Sequence, residues 1–594
     1  MIDDGSPVAR ARRARAAREL PRTSLRGVAA LALFPIGCAL AALAIGQDAN
    51  FDLLNYHYYD PYAFLHGRLA IDVIPASLQS YLNPLVDLPF YFLMNHTPPR
   101  VEAAIVGAVQ GLNLVLVYLI ARRVARSRAI ALAAALAAGV AGGFASELGN
   151  SMGDTIVSIP LLAGVLCAVV AVERATDGRG PAPAAPPARR GARTRGAWLG
   201  RAPDTRWWVA AGALAGVGAG LKLSELATTV GVAVASACAA GPWRAHVRRA
   251  LATGLATAGG LALTAGYWTL HLWLAYGDPL LFDPASSAIF PTRYLPRTVE
   301  TGAGFLPPTL ADALVYPLYW LAHPLAVAEI PIRELSIPIA YVLCAALVLV
   351  LAVRPLARAV TGRAVRAGAP GTDARERETD RVLIVVFAVS IAIWTKQLGV
   401  YRYLVPVELL APLVALAAGR RLAAIFSPAP RRPVAARRRL GAAFVALCAL
   451  CAATAYPANY WLRVPFGSEF FRVPLPRALA NGRVDTVFQV GVQPIAYIFP
   501  KLPPRVVGVG RVDNVATPEY LARVQQAIGR ANRDGGGVFV AFFGSYGPGT
   551  RVPPGSFAYL AAIGVNGYHV SSCEIDHGAI GAAPQDVTFC RIVR

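Results

Sequence analysis

The chain has 594 residues, of which 56% are hydrophobic and only 15% charged, and its formal net charge is +23. This composition indicates a membrane protein and excludes a simple series of soluble domains. The positive charge does not predict a nucleic-acid partner, because the arginines cluster between apolar segments, as they do in the cytoplasmic loops of membrane proteins.

An Arg-rich segment, residues 1–26, precedes an apolar run from Gly27 to Gly46. The pattern is similar to a signal peptide, but the run of about 20 residues exceeds the 7–15 of a signal-peptide core. We therefore interpret residues 1–26 as a cytoplasmic basic tail and the run as an uncleaved first membrane span. This orientation places the residues that follow on the extracytoplasmic side.

The next segment, Gln47–Arg100, is rich in Asp, Asn, His, Tyr and Pro. It is roughly ten times longer than the usual connection of about 4–6 residues. Its aromatic residues and prolines predict short helices at the membrane surface, where Tyr and Trp rings lie between water and lipid. We call it the 47–100 loop and expect function to reside there.

Ten more apolar segments follow, separated mostly by Arg-rich connectors. They lie near residues 101–120, 129–145, 155–172, 207–221, 226–240, 251–276, 337–353, 382–394, 404–418 and 440–455. If they cross the membrane in alternation, the Arg-rich connectors fall inside and the C-terminus outside. The fold class predicted for residues 27–456 is thus a polytopic α-helical membrane protein with about eleven transmembrane helices.

The composition changes to that of a soluble domain over residues 457–594. Short strand patterns alternate with a helix pattern over Pro518–Arg533, which predicts a small extracytoplasmic α/β domain. Cys573 and Cys590 could form a disulfide in an oxidising compartment; two unpaired thiols are the alternative. The Gly-rich stretches lack a GxGxxG sequence followed by a helix, so no nucleotide site is predicted.

Asp52 is the leading catalytic candidate. It follows the first span, in the sequence DLLNYH, and we expect burial in a cavity to raise its pKa and suit it to general-base chemistry. The alternative is a solvated loop carboxylate. Other polar residues of the outer loops could hydrogen-bond the substrate or line its cavity, and we predict substrate binding for them: Asp48, Asn55, Tyr56, His57, Asp60, Arg68, Asn83, Asp87 and Asp154. Asp154 could instead be only a helix N-cap.

Lysine is rare in this sequence, and cations on an outer loop run against the positive-inside rule. Lys396 and Arg402, in the sequence KQLGVYRY, therefore form a candidate phosphate site together with Tyr403. Arg supplies a planar fork for phosphate and Lys a point charge. Lys222 is a weaker candidate for the same role, and cations that merely reach the membrane surface are the alternative. Paired carboxylates could hold a divalent cation, but their spacing specifies no metal or other cofactor.

The chain resembles the GT-C-fold integral membrane glycosyltransferases, such as protein O-mannosyltransferases and the aminoarabinose transferases that act on lipid A. The likeness covers roughly residues 31–455. Its residues are Asp52, Asn55, Tyr56 and His57, the run from Asn83 to Asp87, Gly153 with Asp154, the GDPLLF segment, and Lys396 with Arg402 and Tyr403. The paired Asp-Glu of some branches is absent, because Leu53 follows Asp52.

The resemblance implies an enzyme of the bacterial inner (plasma) membrane. It would transfer a sugar from a polyprenyl-phosphate donor to a glycan, lipid or protein acceptor at the outer face, with inversion. A carboxylate of the first outer loop would be the base. The alternative function is a polytopic transporter or a flippase of lipid-linked sugars, in which ionisable residues concentrate near the bilayer midplane.

Overall fold

The computed structural model describes residues 25–594 except for 178–204, 296–303, 362–372, 427–432, 458, 481, 512–515, 545–551 and 554. The cytoplasmic tail predicted for residues 1–26 therefore lies almost wholly outside the described residues, and so does the basic connector at 178–204.

Helices dominate the first three quarters of the chain. The α-helices are, in order, α1 Leu25–Ile45, α2 Tyr59–Leu65, α3 Leu88–His96, α4 Pro99–Gln110, α5 Leu112–Ala125, α6 Arg128–Gly139, α7 Gly142–Ser146, α8 Asp154–Asp177, α9 Thr205–Leu221, α10 Leu226–Cys238, α11 Trp243–Tyr276, α12 Leu310–Tyr319, α13 Ser336–Thr361, α14 Ala374–Gln397, α15 Val405–Phe426, α16 Pro433–Thr454, α17 Pro518–Arg533 and α18 Ser556–Ala562. Each of the eleven predicted spans coincides with helix in this order.

Among the described residues, five stretches of helix are long and apolar enough to cross a membrane. They are Gly27–Ile45, Pro99–Ala125, Asp154–Thr176, Ser336–Arg354 and Tyr401–Phe426. The helical membrane class is therefore confirmed, whereas the number of eleven spans stays a prediction. Leucines on α11 support the same class, because Leu255, Leu263 and Leu274 are each more than 70% exposed, as side chains that face lipid are.

The Gly-rich α9 packs closely on α11. A Cβ atom added to Gly216 would lie 2.1 Å from the carbonyl oxygen of Thr257, and one added to Gly260 would lie 2.2 Å from that of Ala213. Small residues at such contacts let two helix backbones approach each other, as is common in membranes. This packing fixes the end of α9, where Lys222 follows.

Short helices make up much of the 47–100 loop, as predicted. Between α1 and α4 the loop contains α2, α3, a π-helix at Leu53–His57, and 3₁₀ turns at Arg68–Ala70, Ser77–Tyr81 and Pro84–Val86. Most of its aromatic side chains are buried, including Tyr56, Tyr58, Tyr59, Tyr62 and Tyr81. The loop is therefore a packed unit with its own core.

A mixed sheet forms the C-terminal domain, in agreement with the prediction. The strands of the chain are β1 Gln47–Asp48, β2 Ile332–Arg333, β3 Tyr456–Pro457, β4 Arg463–Val464, β5 Phe471–Arg472, β6 Thr486–Gln489, β7 Val507–Val509, β8 Val538–Phe543, β9 His569–Ile580 and β10 Ala583–Val593. Six of them form one sheet in the order β5-β9-β10-β8-β6-β7. Strand β6 runs parallel to β7 and β8, and β8, β10, β9 and β5 pair antiparallel.

Two local predictions for this domain are confirmed. Helix α17 has the predicted bounds, Pro518–Arg533, and Thr517 caps it by accepting from the backbone N–H of Tyr520. Cys573 and Cys590 lie opposite each other on β9 and β10 and form a disulfide. Of the two alternatives left open by the sequence, the disulfide is the one in the structure.

The 47–100 loop and the sheet domain pack together. Strand β1 pairs with β4, and Val73 pairs in parallel with Val509 at the edge of the sheet. Arg68 donates to both carboxylate oxygens of Asp72 and to the carbonyl oxygens of Pro504 and Val506. The sequence separates loop and domain by more than 350 residues, but in the fold they share one hydrophobic core.

Candidate active site

The predicted base and a predicted phosphate-binding residue are in direct contact. Arg402 Nη1 donates to Asp52 Oδ2 at 2.7 Å, and both residues are buried, at 9% and 8% exposure. Tyr56 donates its hydroxyl to the same carboxylate oxygen at 3.2 Å. Asp52 thus lies between the Arg402 guanidinium, which comes from the second half of the chain, and the Tyr56 hydroxyl, which is four residues away in sequence.

Arg402 is positioned by the turn that precedes α15. Residues Tyr401–Leu404 form a 3₁₀ turn, in which the Tyr401 N–H donates to the carbonyl oxygen of Val327 at 2.6 Å. The Tyr401 hydroxyl donates to Glu408 Oε1 at 2.8 Å. Glu408 in turn accepts from the N–H groups of Gly143 and Phe144 at the start of α7. The turn is therefore tied to three other segments.

A second ion pair lies beside the first. Lys222 Nζ is 2.6 Å from Asp154 Oδ1 and donates to the carbonyl oxygen of Met152 at 2.8 Å. Lys222 and Arg402 both lie over the Tyr403 ring, with their cationic atoms 5.4 and 5.3 Å from its centroid. Cation and ring attract each other at such distances, so Tyr403 joins the two cations into one cluster.

His57 and Asp87 form a buried pair on the other side of Tyr56. His57 Nδ1 is 2.7 Å from Asp87 Oδ1, and the rings of Tyr56 and His57 lie with centroids 4.1 Å apart. The loop thus connects Asp87, His57, Tyr56 and Asp52 through successive contacts. The π-helix at Leu53–His57 carries Tyr56 and His57 and begins directly after Asp52, so its geometry sets the relative positions of these three side chains.

The electrostatics of Asp52 correct one prediction. Burial by itself raises the pKa of this carboxyl, but the nearby charges of Arg402, His57 and Lys222 outweigh burial and hold the pKa below its usual range. The expected rise at Asp52 is therefore wrong, because the partner charge was not visible in the sequence. Burial does raise the pKa of Asp60 and of Asp87, the latter against the opposing effect of His57.

Three predicted substrate-binding residues, Asp48, Asn83 and Arg68, make contacts within the protein, and their role in substrate binding stays a prediction. Asp48 accepts from Asn50 and from both the N–H and hydroxyl of Ser151. Asn83 donates to the carbonyl oxygens at Gly220 and Thr264, which joins the loop to α9 and α11. Arg68 anchors the loop to the sheet domain, as described above. These side chains hold the loop in place.

Lys396 and Arg402 lie in different environments. Lys396 is exposed at the end of α14, whereas Arg402 is buried. The cation that the structure brings to the Tyr403 ring with Arg402 is Lys222, which the sequence ranked as the weaker candidate. Asn55 lies at a cavity, where its side-chain amide donates to Gln79 Oε1 at 3.0 Å. Asp60 is buried in α2, and its two carboxylate oxygens accept no hydrogen bond from the described residues.

Sequence reasoning missed one contributor to the cluster, Trp461, and left a second, Glu147, out of the predicted site. Trp461, just before β4, lies 5.6 Å from the Arg402 guanidinium carbon and donates its indole N–H to Ser146 Oγ at 3.0 Å. Glu147 is fully buried near both cations, and burial together with Asp154 raises its pKa well above the usual range. Glu147 lies in the same polar stretch as Asp154, which was its signal in the sequence, whereas Trp461 had no such signal.

No metal group is found within the described part of the chain: no three His, Cys, Asp or Glu side chains are grouped so that they could hold an ion. The charges of the cluster are instead paired with one another. Two carboxylates, Asp52 and Asp154, face two cations, Arg402 and Lys222.

No family model and no curated protein sequence matches this chain. Among solved structures, it is similar to ArnT from Cupriavidus metallidurans bound to undecaprenyl phosphate, at 13% identity, covering 95% of this chain and 98% of that one with a TM-score of 0.45. It is also similar to the archaeal oligosaccharyltransferase AglB from Archaeoglobus fulgidus in complex with an inhibitory peptide and a dolichol-phosphate, at 12% identity, 87% and 70% coverage and a TM-score of 0.41.

Proposed function

We propose that this protein is an inverting glycosyltransferase that moves a sugar from a polyprenyl-phosphate donor to an acceptor at the outer face of a bacterial inner membrane. One observation carries the proposal. A buried carboxylate, Asp52, lies against one of two cations, Arg402 and Lys222, that share a single aromatic ring. A carboxylate that accepts a proton and cations that bind phosphate are the two parts that this reaction requires.

The cations act on the leaving group. When the bond between the sugar and the donor phosphate breaks, the polyprenyl phosphate gains a negative charge. Arg402 can bind two phosphate oxygens through its planar fork, and Lys222 adds a second positive charge. Because this charge develops only as the bond breaks, the two cations stabilise the transition state more than the bound donor.

Asp52 acts on the acceptor. While Arg402 is paired with Asp52, the lowered pKa keeps the carboxyl ionised at neutral pH. Once Arg402 has turned away, the buried carboxylate is more basic and can accept the proton of the acceptor hydroxyl as the oxygen attacks the anomeric carbon. The new bond between acceptor and sugar forms on the face opposite the departing phosphate, which inverts the configuration. Arg402 turns from Asp52 toward the phosphate when the donor binds, and this frees the carboxylate for the acceptor.

The same proposal sets the orientation in the membrane. The N-terminus is cytoplasmic and the 47–100 loop and the C-terminal domain are periplasmic. The charged side chains of the cluster then lie at the outer ends of the spans, at the depth of a lipid phosphate.

The test uses the full-length protein in nanodiscs. Binding of undecaprenyl phosphate is measured by native mass spectrometry, and transfer is measured from a panel of undecaprenyl-phosphate hexoses and pentoses to released cell-envelope glycans and lipids. Arg402→Gln is expected to lower transfer by about 10²- to 10³-fold, as for other groups that stabilise a developing anion. Arg530→Gln is the matched control, because Arg530 is exposed on α17.

The proposal fails if wild-type protein binds no undecaprenyl phosphate, or if Arg402→Gln and Asp52→Asn transfer sugar as well as Arg530→Gln does. Movement of a lipid-linked sugar across the bilayer without transfer to an acceptor would instead support the flippase alternative.

A further inference from the structure

A cavity of about 320 Å³ lies between the 47–100 loop and the sheet domain. This size is within the range of ~300–1,000 Å³ that is usual for small-molecule sites. The 3₁₀ turn at Ser77–Tyr81 and the π-helix form one side, and the end of β6 forms the other. The side chains that matter here are Phe51, Asn55, Gln79, Gln489 and Arg511.

Gln489 is a buried polar side chain without its full set of partners. It is the last residue of β6 and only 5% exposed, and its Oε1 atom accepts no hydrogen bond from the described residues. A buried carbonyl oxygen in this situation is costly, so such atoms usually meet a donor. Because the Gln489 side chain lines the cavity, its rotation would turn this oxygen toward a ligand hydroxyl, which is a suitable donor.

The chemistry of the cavity favours hydroxyl groups. Three of its side chains, Asn55, Gln79 and Gln489, are amides, which both donate and accept hydrogen bonds as hydroxyls do. Arg511 adds a donor that is held in position, because its Nη1 atom donates to the carbonyl oxygen of Gly491 at 3.0 Å and its guanidinium carbon lies 5.2 Å from the centre of the Tyr559 ring. None of the described lining residues is acidic, and the carboxylate of the nearby Asp52 is paired with Arg402, so an amine would have no free counter-ion.

The cavity is also next to the proposed base. Phe51 precedes Asp52 in the chain, Asn55 follows it by three residues, and both Phe51 and Asn55 line the cavity. Phe51 is 52% exposed at the cavity, and an exposed ring can pack against the apolar C–H face of a pyranose.

We infer that this cavity is the acceptor site and that the acceptor is a neutral polyhydroxylated sugar, bound jointly by the 47–100 loop and the sheet domain. The inference rests on the proposed glycosyl transfer and deepens it, because it names the acceptor class. Asn55, Gln79 and Gln489 bind the hydroxyls of the acceptor, Phe51 supports its ring, and the attacking hydroxyl points toward Asp52.

The test measures sugar binding separately from donor binding. Full-length protein in nanodiscs is titrated with methyl glucopyranoside, methyl mannopyranoside and methyl galactopyranoside, and binding is followed by saturation-transfer difference NMR; ethanolamine is the amine probe. Gln489→Leu keeps the side-chain volume but removes both hydrogen-bonding atoms. Phe51→Ala alters an exposed side chain and is the second variant in case Gln489→Leu does not fold. Gln525→Leu is the matched control, because Gln525 lies on α17 away from the cavity.

At least one pyranoside is expected to bind, and ethanolamine is not. Gln489→Leu and Phe51→Ala are expected to weaken pyranoside binding by about fivefold or more, the effect of one lost hydrogen bond or ring contact, with undecaprenyl phosphate binding unchanged. Gln525→Leu should match the wild type. Pyranoside binding that survives both cavity variants, or no pyranoside binding to the wild type, overturns the inference. If the wild-type protein does not bind undecaprenyl phosphate, the proposed function is overturned instead. The sugar-binding result can still be interpreted in that case, because it is measured separately.

Discussion

Asp52 and Arg402 are 350 positions apart in the chain and form a hydrogen-bonded ion pair of 2.7 Å. Each neutralises the other in a buried setting, where an unpaired charge is strongly unfavourable. The pair therefore joins the 47–100 loop to the turn before α15, and a ligand that carries its own charge can separate the two residues.

Removal of either partner should nearly abolish transfer. Asp52→Asn is expected to lower the transfer rate by about 10²- to 10⁴-fold, because the base is lost. Arg402→Gln is expected to lower the rate by about 10²- to 10³-fold, because the leaving phosphate is less stabilised. Because the two groups act together, the double variant should lose less than the product of the single losses. Rates from a double-mutant cycle in nanodiscs measure this coupling. Strictly additive losses would mean that the pair does not act as a unit.

Variants of Lys222 and Lys396 distinguish two hypotheses for the phosphate site, in which Arg402 acts with either Lys222 or Lys396. Lys222→Gln should weaken binding of undecaprenyl phosphate by about tenfold or more, because a charge-assisted hydrogen bond is lost. Lys396→Gln should have a smaller effect, since Lys396 is exposed at the end of α14. Native mass spectrometry gives both affinities. The reverse order would assign the phosphate site to Lys396 and Arg402, as the sequence first suggested.

The low pKa of Asp52 predicts a specific dependence on pH. A carboxyl whose pKa is lower in the folded state stabilises the fold above its unfolded value, about 3.9, and loses that contribution as the pH falls through the folded value. The Tm difference between wild type and Asp52→Asn should therefore stay constant from pH 7 to pH 5 and shrink only in more acidic buffer. A steady decrease between pH 7 and pH 5 would show that Asp52 is protonated there.

Asp60 should behave in the opposite way. Burial, together with the charge of Asp87, raises its pKa well above the usual range. The folded state therefore keeps a proton that the unfolded chain releases above pH ~3.9, and Asp60 lowers stability as the pH rises past that value. Asp60→Asn should raise Tm at pH 8 by on the order of 1–2 °C, with little change near pH 4. Equal shifts at both pH values would contradict a raised pKa.

The disulfide predicts on which side the sheet domain lies. Cysteines pair in the periplasm but are kept reduced in the cytosol. Peptide mapping of protein purified under non-reducing conditions with alkylated free thiols should recover Cys573 linked to Cys590. Cys573→Ser with Cys590→Ser should lower the stability of the domain by about 3 kcal/mol, the chain-entropy value for a closed loop of this size. Recovery of both cysteines as alkylated thiols would argue for a cytoplasmic domain.

Sequence reasoning predicted the elements well because their signals are local. The apolar runs coincide with helices, and α17 has the predicted bounds. The strand patterns of the C-terminal domain, in VDTVFQV, RVVGVG, GVFVAFF, YHVSSCEI and VTFCRIV, coincide with β6 to β10. The residues of the site were harder to predict from the sequence. The cluster contains six of the predicted residues: Asp52, Tyr56, His57, Asp87, Arg402 and Lys222. Three others, Asp48, Asn83 and Arg68, make contacts that anchor the loop, and their role in substrate binding stays a prediction. Polar residues in a conspicuous loop look alike in sequence whether they bind a ligand or anchor the backbone.

The sequence by itself determined that this is a helical membrane protein with a long polar loop and a sheet domain, because hydrophobic length and periodicity are properties of neighbouring residues. Only the tertiary structure decided that Arg402 neutralises Asp52, that Lys222 is the cation that shares the Tyr403 ring with Arg402, and that Gln489 and Asn55 line one cavity. These contacts join residues hundreds of positions apart, and the pKa of Asp52 follows from its neighbours in space. Local composition indicated burial and therefore a raised pKa, but a buried guanidinium 2.7 Å away reverses the sign.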